Sequence, residues 1–176
     1  MRFFLIFFGF ILPACATVTE RQLETTSLPD PAWLGCCWQA QEHIAVDNGS
    51  RTTSLMAVSS LQQDRLTMVL LDTLGRRVLT LTQQGQAVVI DPGEAARQLP
   101  VKLFLLGFYL RYMPDGGWQK LNEYQVNQSA ADYSELLGKS GVMVTLQRHP
   151  KGHLVLQYPN AGLQVRVTDV KRELIR

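Results

Sequence analysis

Cysteine and histidine are both scarce in this chain, three of each in 176 residues. The cysteines are Cys15, Cys36 and Cys37, and the last two are neighbours, so no disulfide framework of the kind that staples small secreted folds can be drawn. Adjacent cysteines pair only through a strained ring, and the expectation for Cys36 and Cys37 is two small hydrophobes beside Trp38. His149 and His153 flank the turn Pro150-Lys151-Gly152 and could face one another across a hairpin as metal ligands. A third ligand is not evident, so no metal is expected. There is no Gly-x-Ser-x-Gly elbow, phosphate loop or dinucleotide fingerprint, and the carboxylates are scattered without paired spacing. The chain therefore reads as neither an enzyme nor a cofactor binder.

An excess of one charge is also missing: 17 Lys+Arg stand against 15 Asp+Glu, a formal charge of +2. The longest basic runs are Arg76-Arg77 and Lys171-Arg172, too short to track a phosphate backbone, so nucleic acid is excluded as a partner. No segment has the length of a membrane-spanning helix. The longest apolar stretch of the body, Val101 to Met113, is interrupted by Lys102 and Arg111.

What is abundant is short alternating segments separated by turn residues. Trp38 to Val46, Thr52 to Leu61, Arg65 to Asp72, Arg77 to Gln83 and Gln86 to Ile90 read as five strands. Asp47-Asn48-Gly49, Thr73-Leu74-Gly75 and Gln84-Gly85 supply turns, and Asp91-Pro92-Gly93 stops the series. Leu79 and Leu81 fall on one face of their strand, with Val78, Thr80 and Thr82 on the other. Short connections of this kind make an antiparallel meander rather than a βαβ fold.

The pattern then shifts. Glu94 to Leu99 reads as a short helix ended by Pro100, and Val101 to Met113 as a second, almost wholly apolar helix. Trp118 to Tyr124 is ambiguous, and Ala130 to Leu137 reads as helical. Val142 to Arg148, His153 to Tyr158 and Leu163 to Val170 are three closing strands. A sheet of about eight strands curls, and a barrel of that size can enclose one apolar ligand.

The chain's beginning is of another kind. Arg2 is followed by Phe3 to Leu12, hydrocarbon broken only by Gly9, and then by Leu12-Pro13-Ala14-Cys15. The apolar run is too short for a permanent anchor and has the layout of a secretory signal. It resembles a bacterial lipoprotein signal. That resemblance implies cleavage before Cys15, acyl chains on Cys15 and, because Ala16 rather than Asp follows, residence in the outer membrane of a Gram-negative bacterium, facing the periplasm. Residues 1–14 are then the signal, 15–31 the lipidated N-terminus with a polar tether, and 32–176 one domain.

The order of elements from Trp38 to Val170 resembles the LolA/LolB-like fold, an incomplete antiparallel barrel covered by helices. The resemblance is carried by Leu71-Asp72-Thr73-Leu74-Gly75-Arg76-Arg77-Val78, by the proline-bounded segment Leu99 to Pro114, and by Leu163-Gln164-Val165-Arg166-Val167. The middle segment is most similar to LolB-like lipoproteins of unassigned role, some encoded beside aryl-polyene synthesis genes. The resemblance implies a monomer that holds a lipid, acyl or lipoprotein cargo without covalent chemistry and receives it from a periplasmic carrier. Met68, Leu70, Leu79 and Leu81 are the expected cavity wall, with Phe104 and Phe108 on a lid. Arg111, a cation inside an apolar stretch, needs either the cargo's anionic head or a carboxylate at the rim. A scaffold lipoprotein with a filled core is the alternative.

Overall fold

Inward–outward alternation builds the first strands of the sheet. The computed structural model describes residues 28–93, 100–114, 116–150 and 152–175. In β1 (Trp38–Asp47) Trp38, Ala40, Glu42, Ile44 and Val46 are buried while Gln39, Gln41 and His43 are exposed. β2 (Thr52–Gln62) turns Leu55, Ala57, Ser59 and Leu61 inward, and β3 (Arg65–Asp72) does the same with Leu66, Met68 and Leu70. β4 (Arg77–Gln84) buries Leu79, Leu81 and Gln83, and β5 (Ala87–Pro92) buries Val88 and Ile90. Each leucine-sized side chain taken fully out of water contributes about 1.5–3 kcal/mol, so one face of this meander carries the core.

The turns are held by aspartate and asparagine side chains that accept backbone N–H groups. Asp47 Oδ1 accepts from Gly49 N at 2.7 Å, and Asn48 Oδ1 accepts from Arg51 N at 2.9 Å. At the next tip Asp72 Oδ1 accepts from Leu74 N and Arg76 N, both at 2.9 Å, around Gly75 at φ 78°.

The second half adds β6 (Gln125–Ala130), β7 (Tyr133–Gly138), β8 (Gly141–Arg148), β9 (His153–Tyr158) and β10 (Leu163–Leu174). The ten strands form one sheet in the order β5-β4-β3-β2-β1-β10-β9-β8-β7-β6. The last strand thus pairs with the first: Trp38 lies opposite Leu174 and Asp47 opposite Gln164, with a register shift between Gln41 and Glu42. The described sheet is open, with β5 and β6 at its two ends.

Two sequence expectations are corrected here. Among the described residues the sheet has ten strands rather than about eight, because the segment read as a helix, Ala130 to Leu137, is instead the end of β6, a turn and most of β7. Its Ala, Glu and Leu residues favour helix locally, but Ser134 and Leu136 are buried two residues apart, and strand pairing with β8 overrides the propensity. Among the described residues there is one α-helix, α1 (Val101–Tyr112), where the apolar segment was expected to be helical. The short helix expected over Glu94 to Leu99 falls outside them, as do the signal segment and Cys15. Trp118–Lys120, in the ambiguous stretch, is one turn of 3-10 helix.

α1 is buried over six consecutive residues, Leu105 to Leu110, as expected of a helix that is apolar all round. It packs against inward-facing side chains from both halves of the sheet. Gly107 lies against Tyr158 of β9, Arg111 reaches Glu42 of β1, and Tyr109 reaches Gln83 of β4.

Candidate functional site

Between α1 and the sheet is a cavity of about 20 Å³, on the scale of one water molecule. Ile44 and Met68 supply part of its wall from β1 and β3, Leu156 from β9, and Val165 and Val167 from β10. Phe104, Gly107, Phe108 and Arg111 face it from α1. These four recur at helical spacing, one stripe of the helix, which is how a continuous apolar segment presents a chemically mixed face. Of the residues singled out from sequence, Met68, Phe104, Phe108 and Arg111 are brought together here. Leu70, Leu79 and Leu81 are buried in the same core, outside that lining.

The polar members are Glu42, Arg111 and Tyr158. The Arg111 guanidinium donates through Nη1 to Glu42 Oε1, and the Tyr112 hydroxyl donates to the same oxygen. The two charged side chains are 8% and 4% exposed. Arg111 therefore has a carboxylate partner inside the fold, supplied by an inward position of β1. Taking both charges out of water is costly, and only close pairing with further hydrogen bonds offsets it. Glu42 was not singled out by sequence reasoning. A signal was present: within Trp38-Gln39-Ala40-Gln41-Glu42-His43-Ile44 it occupies an inward position of an alternating strand.

Tyr158 is fully buried, and burial alone pushes its phenol well above the usual range, so it stays protonated. Its hydroxyl has no hydrogen-bond partner among the described residues. It lies against Gly107, where a Cβ would overlap it. Tyr109 meets the opposite wall: its hydroxyl donates to Gln83 Oε1 at 2.9 Å, and Gln83 Nε2 donates to the Pro29 carbonyl at 2.8 Å. Burial first, and then the Asp30 charge, raise the Tyr109 phenol as well.

An aromatic cap stands beside the ion pair. The Trp38 and Tyr112 rings are 5.2 Å apart, and Phe108 lies 4.8 Å from Tyr112 and 6.0 Å from Trp38. The Arg172 guanidinium lies 5.1 Å from the Trp38 ring and 5.0 Å from the Tyr112 ring. Arg172 is opposite Ala40 in register, and paired residues share a face, so it sits on the inward side at the sheet's end.

Two other constellations lie elsewhere. His149 and His153 stack with ring centroids 4.5 Å apart where the β8–β9 hairpin closes. No group of three or more His, Cys, Asp or Glu placed to hold a metal occurs among the described residues. The sulfurs of Cys36 and Cys37 adjoin, with Cys36 exposed and Cys37 half-buried, where two small hydrophobes packed beside Trp38 were expected. The two residues precede the first inward residue of β1 and lie outside the sheet, with the Cys36 sulfur accepting from Gln63 N at 3.1 Å.

A family model described as "Protein of unknown function (DUF3261)" matches residues 39–171. No curated protein matches the chain. Among solved structures, a domain from Vibrio parahaemolyticus named for outer membrane lipoprotein sorting is similar at 8% identity. The alignment covers 82% of this chain and 86% of that one, with a TM-score of 0.41. The functional reading rests on the geometry instead.

Proposed function

We propose, taking as premise that the chain belongs to the DUF3261 family of proteins of unknown function, that it is a lipid-binding carrier of the bacterial envelope. Lipidated at Cys15 and held at the outer membrane, it takes a lipid, acyl or lipoprotein-borne chain against the concave apolar face of its sheet, without covalent chemistry. The observation that carries this reading is the way α1 is attached. A helix that only filled a core would need no polar bonds to the sheet. Here Arg111 is tied to Glu42, and Tyr109 to Gln83, across otherwise apolar surface. Such bonds have defined geometry and can be exchanged, whereas the hydrocarbon contacts beside them are nondirectional and accept an acyl chain as readily as a helix. Displacement of α1 would uncover Ile44, Met68, Leu156, Val165 and Val167 as one wall.

The alternative, a scaffold lipoprotein with a filled core, is favoured by one observation: the cavity holds about 20 Å³ with α1 seated. Expression in a bacterial periplasm followed by native mass spectrometry separates the two. The carrier reading expects a fraction of the protein with added mass that resolves to acyl chains. A bare protein that also refuses added lipid would establish the filled core.

A further inference from the structure

We infer that Arg111, Glu42 and Tyr158 form a seat for the head of an acidic amphiphile, a long hydrocarbon chain ended by a carboxylate. This rests on the carrier reading and names the cargo class for the same cavity. Four observations lead to it. First, the wall is hydrocarbon, so the ligand's body is a chain rather than a sugar or a nucleotide. Second, the polar groups in that wall are one buried carboxylate, one guanidinium that holds it and one phenol. A guanidinium presents five N–H donors in a planar fork, so a ligand carboxylate that displaced Glu42 from Arg111 would meet the same donors.

Third, the Tyr158 hydroxyl is fully buried, protonated, without a partner among the described residues, and part of this lining. A buried O–H donor left unmatched is costly, and a ligand oxygen seated beside Arg111 would satisfy it. Fourth, the adjoining aromatic cap carries a second guanidinium, Arg172.

The test uses the full chain reconstituted in phosphatidylcholine vesicles, with a diazirine-bearing long-chain fatty acid and its methyl ester as paired probes. Peptide mapping after photolysis locates the label. The expected result is labelling of residues 101–113 and 153–158 by the acid at roughly tenfold lower concentration than by the ester, the scale of one charge-assisted hydrogen bond. Tyr158→Phe, which removes only the unpartnered hydroxyl, should narrow that preference. Glu42→Gln, which removes the competing charge, should widen it. Equal labelling by acid and ester at those peptides would overturn the head seat and leave the carrier reading standing. A preference unchanged in both variants would also overturn the seat. Labelling of those peptides by neither probe would remove the carrier reading itself.

Discussion

Two arginine–carboxylate pairs of the same chemistry lie in opposite surroundings. Arg111 and Glu42, 8% and 4% exposed, meet between the helix and the sheet. Arg77 and Asp91, 47% and 51% exposed, meet across β4 and β5 at the open end of the sheet. The buried pair has surrendered its water and depends on its partner, whereas the exposed pair competes with water and salt at every moment. An ion pair is thus informative about function where it is costly to keep. The costly one in this molecule is at the joint between α1 and the surface it covers.

The sharpest way to break this contrast is to remove one member of each pair. Arg111→Met leaves Glu42 buried beside a thioether and should cost about 3–5 kcal/mol in urea unfolding. Replacing both, Glu42→Leu with Arg111→Met, should recover most of that loss, since a buried pair is often equivalent to hydrocarbon of similar volume. A double variant as unstable as the single would mean that the pair supplies net stability rather than merely repaying its own desolvation.

Gly107→Ala probes the same joint by volume. The added methyl overlaps the Tyr158 hydroxyl, and overpacking of this kind costs about 1–3 kcal/mol. The better helix propensity of alanine offsets up to about 1 kcal/mol of it. Tyr158→Phe in the same chain removes the colliding oxygen and should restore the melting temperature. At the open end of the sheet, Arg77→Ala or Asp91→Ala should shift stability by less than about 1 kcal/mol, and 1 M salt should erase the difference.

How far the sequence reached differs along the chain for one physical reason. β1 to β4 start at Trp38, Thr52, Arg65 and Arg77, where strand-length segments bounded by turn residues place them, and each has an inward face of buried residues two apart. α1 was legible as an apolar segment bounded by Pro100 and Pro114, although its burial on all sides leaves no stripe from which to read a facing direction. β6 was not legible. At the end of the sheet it keeps every residue, Gln125 to Ala130, exposed or half-buried, and a strand without a buried face has no period of two. Part of the candidate site was visible as Met68, Phe104, Phe108 and Arg111. Its partner Glu42 and the orphan hydroxyl of Tyr158 come from strands distant in sequence, and pairing β1 with β10 and β10 with β9 is a nonlocal fact. The alternation of β1 nevertheless marks Glu42 as inward, so a charged residue at an inward position is the feature to pursue in such chains.

A third carboxylate refines the contrast from the exposed side. Asp72 pairs with Arg76 at 2.7 Å on the surface, yet its carboxyl is held below the usual 3.8 chiefly by the backbone N–H of Arg76. Loss of water around the carboxyl is the next-largest effect and opposes it, and the Arg76 side chain and the Leu74 N–H add smaller lowering contributions. The folded pKa lies below the unfolded one, so the ionised carboxylate stabilises the turn above pH 3.8, and that contribution is lost as pH falls through the folded value. Asp72→Asn keeps an acceptor oxygen for both backbone N–H groups and removes the charge together with the acceptor of the Arg76 side chain. Its destabilisation should be the smallest in this series, present at neutral pH and vanishing on acidification. Urea midpoints of both proteins measured from pH 7 downward decide it: converging curves assign the turn's electrostatic share to the carboxylate, and parallel curves assign it to hydrogen bonding alone.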